Sequence, residues 1–421
     1  MNIPTWLTDT YRRRRDWRIL NPSEHDVIRR YQRRFSVRAH AARLVDSIVR
    51  VFVRSNASRD IPPPRRILLA NLGGLGDVVL STPAIGIVRK AFPQAWIGFL
   101  LGSWARPVLK EHPHIQHLHV LNHWKIVRTG EPLRRRMLHY FRAASMTARE
   151  LRQTSYDVAV DLRAWWPTAA YVLWRAGIPA RIGHPSAGLG ALLTHPRPFV
   201  YRRLHESQIQ TELLRSLPIP PDLFAGDPLF DMPPPSLRGQ EQICRLLGVD
   251  ALECTSYDVL HVGSGADAKN WPAEKWAALA DRLSAEGRTL VLTGAGSRDQ
   301  AMIRQITAGR GACINACDAL DWDGFVEAIR AAKTLYTVDT VTTHLAVALG
   351  TPSVTVLGGM SDWLQWGPRN GPLNVALTKP MACAPCFHYC GCTTRPCLTQ
   401  IDVDSVYAAG RAILREVRQR G

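Results

Sequence analysis

No stretch of the 421 residues approaches the roughly 20 uncharged apolar residues that a membrane-spanning helix needs. The first residues also carry charges where a secretory signal needs its apolar core. Both absences point to a cytoplasmic protein. Lysine is missing from residues 1–66, which hold sixteen Arg against six acids, so more than half of the net charge of +18 lies in this extension. Its aromatic residues are not interleaved with the arginines as a base-stacking platform requires, which argues against a nucleic-acid partner. What the extension does carry is an apolar stripe at helical spacing, Val37, Ala41, Leu44, Val45, Ile48, Val49 and Phe52, flanked by Arg38, Arg43, Arg50 and Arg54. A basic amphipathic helix of this kind suits an anionic membrane surface. It equally suits a helix docked on a domain with a solvated basic face.

With 46% hydrophobic residues and this length, the chain fits two globular domains plus additions. After "IPPP" it alternates strands and helices, with strands expected at 66–72, 96–101, 117–121, 156–161 and 181–183. The proline-rich "SLPIPPDLFAGDPLFDMPPPSL" interrupts that rhythm. A second series follows near 258–262, 289–293, 334–338, 353–357 and 373–377. The expectation is an α/β chain with two Rossmann-like, doubly wound domains facing each other across a cleft. Their bounds are a basic helical extension at 1–64, a first domain at 65–230, a second at 241–402 and a C-terminal helix at 403–421.

The densest signal is "ILLANLGGLGDVVLSTPAIGIVRKAFP", a buried-strand run that meets Gly73, Gly74 and Gly76 and opens into a helix at Asp77. Glycines there permit a tight turn and close approach of a ligand to backbone. The spacing is not the G-x-G-x-x-G of a dinucleotide fingerprint, and the next strand, "AWIGFLLG", lacks the ribose-binding acid. Asp77 is therefore either a helix cap or a catalytic carboxylate, and both readings stay open.

The second series repeats this logic. "DVLHVGSGADAKNWPAEKWAALADRL" places Ser264 and Lys269 in a small-residue loop ahead of a helix announced by Pro272. "TLVLTGAGS" ends a strand at Thr293 and Gly294, where backbone can meet a base or ribose. "TLYTVDTVTTHLAVALGTP" ends a strand at Asp339 and starts a helix within Thr340–Thr343, with His344 in its first turn and Gly350 at its end. A helix N-terminus offers free amides and a positive dipole end to a diphosphate, and the hydroxyls of Thr340, Thr342 and Thr343 could add donors. The plainer reading is a capped helix with a core histidine. Asp321 and Asp323 form a D-x-D, but they precede "GFVEAIRAA", where helix capping is the expected use.

Five of the nine cysteines fall within "CAPCFHYCGCTTRPC": Cys383, Cys386, Cys390, Cys392 and Cys397. Disulfides are disfavoured in a reducing cytosol, and this spacing suits a tetrahedral thiolate site for structural zinc or iron. Cys383, Cys386 and Cys397 would contribute, with Cys390 or Cys392 as the fourth ligand. Reduced thiols on a loop are the bland alternative.

In order, "GGLGDVVLSTPAI", "YDVAVDL", "RAGIPARIGH", "HVGSGADAKNWPAEKW", "LVLTG", "VDTVTTHLAVALGTPSVTVLG" and "CAPC" resemble glycosyltransferase family 9, the ADP-heptose:lipopolysaccharide heptosyltransferases. The match runs from about Arg65 to about Asp402, leaving the Arg-rich extension outside. The resemblance implies a GT-B fold, an acceptor on the first domain, an ADP-sugar mainly on the second, and inversion at the anomeric carbon. It implies that Asp77 is the general base, that Lys269 meets the donor phosphates, and that Asp339 to His344 form the donor-binding D-[ST]-G-x-x-H segment. Val341 replaces the glycine of that segment. No catalytic metal is implied, whereas related adhesin heptosyltransferases carry a four-cysteine structural metal. The expected function is heptose transfer to a lipopolysaccharide core or related envelope glycan, peripheral at the inner membrane. A protein O-heptosyltransferase acting on autotransporter adhesins and an inert sugar-nucleotide-binding scaffold are the alternatives.

Overall fold

The structure is a computed structural model, and it describes residues 27, 37, 40–51, 53, 60–127, 130–199, 204–252, 256–369, 373–387 and 392–420. Arg38, Phe52, Arg54 and Cys390 lie outside the described residues. The chain divides into one unit of Gln32–Pro234 and a second of Pro235–Gly421 with Met1–Tyr31.

The first unit holds a parallel sheet of β1 (Arg66–Asn71), β2 (Trp96–Leu101), β3 (His117–Val120), β4 (Val158–Asp161), β5 (Ala180–Gly183) and β6 (His195–Pro196), in the order β3-β2-β1-β4-β5-β6. Central β1 reads RILLAN because helices cover both faces of such a sheet, and a strand buried on both sides must be apolar along its length. Leu69 pairs in register with Phe99 on one side and Val160 on the other, and all three are fully buried. Three helices of this unit matter below: α1 (Leu75–Val79), α2 (Thr82–Ala91) and the long α3 (Leu133–Thr154).

The second unit repeats the plan with β7 (Tyr257–His261), β8 (Thr289–Thr293), β9 (Cys313–Asn315), β10 (Leu335–Val338), β11 (Ser353–Val356) and β12 (Asn374–Leu377), ordered β12-β11-β10-β7-β8-β9. Read from β9, this is the same topology as the first sheet. Its core gathers Trp271, Trp276, Leu279, Leu292, Tyr336, Val354 and Ile413. Here α4 (Ala273–Ala285), α5 (Trp322–Arg330), α6 (Val341–Leu349) and α7 (Val403–Arg420) complete the elements used below. Pro272 stands at the cap of α4, one residue before the first-turn position expected of it.

Ten of the expected strands are present within two residues of their expected ends. The sequence reading missed β6 and β9, strands of two and three residues at the sheet edges, where β6 contains a proline. Edge strands that short bury little and leave no apolar alternation to read. The proline-rich connection follows the first unit as far as Asp231, whose carbonyl oxygen lies 2.7 Å from His112 Nε2. From Ser236 it belongs to the second, where Ser236 caps the next helix and its N–H donates to Glu327 Oε1 at 3.1 Å.

Residues 40–51 are helical, and they touch the first unit through their Ala42 and Asp46 side. Asp46 Oδ1 accepts from Ala191 N at 2.6 Å, and Gly188, at φ +85°, leaves room for the Ala42 backbone that any Cβ would strike. The apolar stripe consequently faces outward: Leu44 is 64% exposed, Val45 43% and Ile48 53%. No helix among the described residues is long and apolar enough to cross a membrane.

Candidate functional site

In an open parallel sheet the strand order reverses at one point, and the loops leaving the two strands there diverge to form a crevice at their carboxyl ends. In the first unit that point lies between β1 and β4. The loop after β1 is built from below. Asn71, fully buried, accepts from Gly73 N–H at 2.9 Å and donates to Asp77 O at 3.0 Å and to Ser81 Oγ at 2.7 Å. Ser81 in turn lies 2.7 Å from Gln210 Oε1, and Gln210 Nε2 reaches Glu206 Oε1 at 3.3 Å. This polar chain fixes the turn that carries Asp77.

Asp77 sits in the first turn of α1, three residues past the cap Gly74, and its Oδ2 accepts from Gly74 N–H at 2.7 Å. A Cβ on Gly73 would lie 2.6 Å from that oxygen and 2.8 Å from Asp77 Cβ, so glycine is required there by space rather than by φ. The other oxygen, Oδ1, forms a close ion pair with Arg163 Nη1. Capping and charge pairing therefore coexist in one carboxylate, each using one oxygen. The Asp77 and Arg163 side chains are 19% and 15% exposed, enough to meet a ligand and little enough that either charge alone would be costly. Burial works to lower the Arg163 pKa, but the carboxylates of Asp77, Glu206 and Asp161 outweigh it and hold the guanidinium above its ordinary value.

Asp161 ends β4 and is buried under this pair. Its Oδ2 takes a short hydrogen bond from Thr168 Oγ1 and another from Ala169 N–H at 2.7 Å. Burial raises its pKa to about 6 against the opposing pull of those bonds and of Arg163. Arg163 and Asp161 went unnoticed as site residues in the sequence. The available signal was "VDLR": an acid closing the strand beside β1 and an arginine two residues on.

In the second unit the order reverses between β7 and β10. The loop after β7 carries Lys269, and the residue after β10 is Asp339. Lys269 Nζ stands 2.9 Å from Asp339 Oδ2, and Ser361 Oγ donates to the same oxygen at 3.4 Å. The helix that follows, α6, starts at the cap Thr340, whose side chain makes no capping hydrogen bond, so its first turn begins beside the lysine's partner. The expected threonine hydroxyls divide. Thr342 Oγ1 lies 2.5 Å from Thr337 Oγ1, and Thr343 Oγ1 donates to Val338 O at 3.0 Å, so both point into the core, where His344 is also buried. Thr340 and Val341 are the partly exposed positions of that segment.

The remaining expected residues support this loop pair. Ser264 Oγ is held between Ala266 O at 2.8 Å and the Asn270 side-chain amide at 2.6 Å, which closes the Lys269 loop. Thr293 Oγ1 lies 2.9 Å from His261 Nδ1, and burial pushes the His261 pKa down to about 4, so the imidazole is neutral at pH 7. A Cβ on Gly294 would come within 2.8 Å of Asp299 Cβ, and one on Gly263 would collide with the same carboxylate. Asp299 and Arg298, unremarked in the sequence, brace the two loops: Asp299 Oδ2 accepts from Ala295 N–H at 3.1 Å, and Arg298 pairs with Asp267 at 2.7 Å while donating to Ser264 O. Asp321 caps α5 through Gly324 N–H at 3.1 Å, the capping use expected of the D-x-D.

The cysteine loop packs on the segment after β11. Cys386 N–H donates to Gly359 O and Phe387 N–H to Met360 O, both at 2.9 Å. Cys383 and Cys392 are exposed, Cys386 and Cys397 half-buried. Burial raises the Cys397 thiol pKa, a Gly359 backbone hydrogen bond opposes this, and the sulfurs of Cys392, Cys386 and Cys383 add to the rise, so these four share one electrostatic neighbourhood. No group of three cysteines close enough to hold an ion is present among the described residues. Arg395 donates to Asp267 O and Lys275 Nζ to Thr399 O at 2.6 Å and Ile401 O at 2.7 Å, which ties the cysteine loop to the Lys269 loop.

Residues 145–395 match the model of glycosyltransferase family 9 (heptosyltransferase). The lipopolysaccharide heptosyltransferase 3 of Escherichia coli is 26% identical over 300 residues, covering 70% of this chain and 83% of its own length. The fold is shared with E. coli ADP-heptose lps heptosyltransferase II, at 21% identity and a TM-score of 0.65 over 84% of this chain and 99% of that one. It is shared too with E. coli heptosyltransferase WaaC with ADP-2-deoxy-2-fluoro heptose, at 17% identity and a TM-score of 0.60, covering 85% of this chain and all of that one.

The raised pKa of Asp161 sets a pH dependence of stability. The folded state holds its proton more tightly than the unfolded chain, so Asp161 opposes folding increasingly as pH rises from about 4 to about 6, by about 3 kcal/mol in all. Asp161→Asn should remove that component: urea midpoints at pH 4, 5 and 6 should rise with pH more steeply, or fall less, in the variant than in the parent.

Proposed function

The chain belongs to glycosyltransferase family 9, and from that premise we propose that it transfers a heptose from an ADP-heptose donor to a lipopolysaccharide core or related envelope glycan. The observation that carries this reading is the matched pair of ion pairs, Asp77 with Arg163 and Lys269 with Asp339, one at each sheet's switch point. Glycosyl transfer to a hydroxyl needs two things that such groups supply. The hydroxyl is a poor nucleophile at neutral pH, so a carboxylate that accepts its proton in the transition state lowers the barrier. Asp77 has this role: each oxygen retains acceptor capacity beyond the bond it already accepts. Arg163 positions the carboxylate through its ion pair with Oδ1.

The leaving ADP develops negative charge on its β-phosphate, which fixed cations and helix amides stabilise. Lys269 and the first-turn amides of α6 have this role, with Asp339 holding the lysine until the phosphates compete for it. The side chain of Val341 restricts how closely the diphosphate approaches that turn. Ser264, Thr293 and Gly294 shape the walls of the donor site, with Gly73, Gly74 and Gly76 framing the acceptor. A protein acceptor remains the second reading, because nothing in the Asp77 loop selects a glycan hydroxyl over a serine.

Two peripheral features belong to the same proposal. The exposed stripe of Leu44, Val45 and Ile48 beside Arg43 and Arg50 seats the enzyme at an anionic membrane surface, where a lipid-linked acceptor would be met. Four of Cys383, Cys386, Cys390, Cys392 and Cys397 hold a structural zinc or iron. Thiolates are soft donors that suit either ion, and a site filled by them leaves no position for substrate. Such an ion would brace the loop that supports Lys269.

Lys269→Ala should weaken ADP itself, since the lysine is assigned to its phosphates, and calorimetric ADP affinity equal to the parent's would remove that role. Leu44→Glu with Ile48→Glu, both at exposed sites, should reduce co-sedimentation with anionic vesicles while leaving the melting temperature unchanged. Unaltered sedimentation would move the membrane contact elsewhere. Elemental analysis of anaerobically purified, active protein should find close to one equivalent of zinc plus iron, and less than about a tenth of an equivalent would refute the thiolate site.

A further inference from the structure

We propose that His117, His119 and Glu150 form a second site, for one divalent transition-metal ion of the zinc class, which ties the edge strand β3 to the long helix α3. His117 and His119 are two residues apart on a strand, so their side chains share a face, and α3 brings Glu150 to that face. His119 Nδ1 lies 2.7 Å and His117 Nε2 3.0 Å from the same oxygen, Glu150 Oε1, and the three ligand atoms are all within 4.8 Å of one another. Ligand atoms on a tetrahedral zinc with bonds of about 2.0–2.1 Å stand about 3.3 Å apart. The three groups therefore need only spread slightly around an ion.

What separates this cluster from an ordinary surface His–Glu contact is the shell behind it. The His119 side chain has no solvent exposure, and its second nitrogen, Nε2, lies 2.7 Å from Tyr156 OH. That hydroxyl fits only because residue 98, opposite His117 in the β2–β3 register, is glycine: a Cβ there would collide with it. Trp96 stacks on His117 with ring planes 20° apart and also packs on Tyr156 at 5.7 Å. Metal-binding imidazoles are characteristically held in this way, with the non-ligating nitrogen hydrogen-bonded to a fixed partner.

Without an ion, His119 carries its hydrogen on Nδ1 and donates to Glu150, while Tyr156 OH donates to Nε2. With an ion on Nδ1, the hydrogen sits on Nε2 and donates to the tyrosine oxygen, which accepts as readily as it donates. Two imidazoles and one carboxylate suit zinc, cobalt or nickel rather than magnesium or calcium. His117 and Glu150 are about half-exposed, which gives the ion an entry path and leaves its remaining position to water.

The test uses the full chain without an affinity tag, stripped with chelator and titrated with cobalt(II). A Cys383→Ser/Cys386→Ser background removes the thiolate site, so that the absorption of an N/O-bound ion, free of thiolate charge-transfer bands, is read alone. One saturable equivalent is expected in that background. His117→Gln and Glu150→Gln, both at half-exposed positions, should abolish it. Tyr156→Phe, which touches no ion, should weaken it by about 10- to 100-fold. Equal cobalt binding in the parent and in folded His117→Gln, or no saturable binding outside the thiolates, would overturn the site.

Discussion

Each half of this protein places one cation and one carboxylate across the point where its strand order reverses, and the rest of each half is arranged to keep that pair in place. The signs are mirrored. In the first sheet the acid leaves the first strand and the cation follows the fourth, Asp77 to Arg163. In the second the cation leaves the first strand and the acid follows the fourth, Lys269 to Asp339. An isolated charge at such partly buried positions would be costly, whereas a pair is tolerable and can still exchange partners with a charged ligand. On the proposed reading, the pairing holds these groups ready before substrate arrives.

Much of the surrounding sequence follows from that constraint. Gly73 is where the Asp77 carboxylate folds back on its own loop, and the Asn71–Ser81–Gln210 chain holds the turn from beneath. Gly263 and Gly294 make room for Asp299, which with Arg298 joins the loops after β7 and β8. The cysteine loop reaches the same place through Arg395 and the carbonyls that accept from Lys275. A structural ion bound there would act on the donor loop at one remove, through stiffness rather than contact.

The interior strands, Gly73 to Asp77 and the Asp339 segment were legible because buried parallel strands and glycine turns leave local marks: continuous apolar runs, small-residue clusters, an acid at a helix start. The role of Arg163 and of the Tyr156-backed histidines was not, because it lies in partners 30 to 90 residues away. The orientation of the 40–51 helix was equally out of reach. Its periodicity revealed an apolar stripe, but only the contacts of Ala42 and Asp46 show that the stripe faces outward. Thr342 and Thr343 illustrate the converse: hydroxyls at a promising position are bonded inside the core.

The central claim is that Asp77, held in place by Arg163, accepts the proton of the acceptor hydroxyl. Asp77→Asn preserves shape and can still accept from Gly74 N–H, but it cannot take the proton. With ADP-heptose and a heptose-deficient lipopolysaccharide core, the account predicts a fall in turnover of about 10² or more with ADP affinity unchanged. Turnover near the parent's in a folded Asn variant would contradict it.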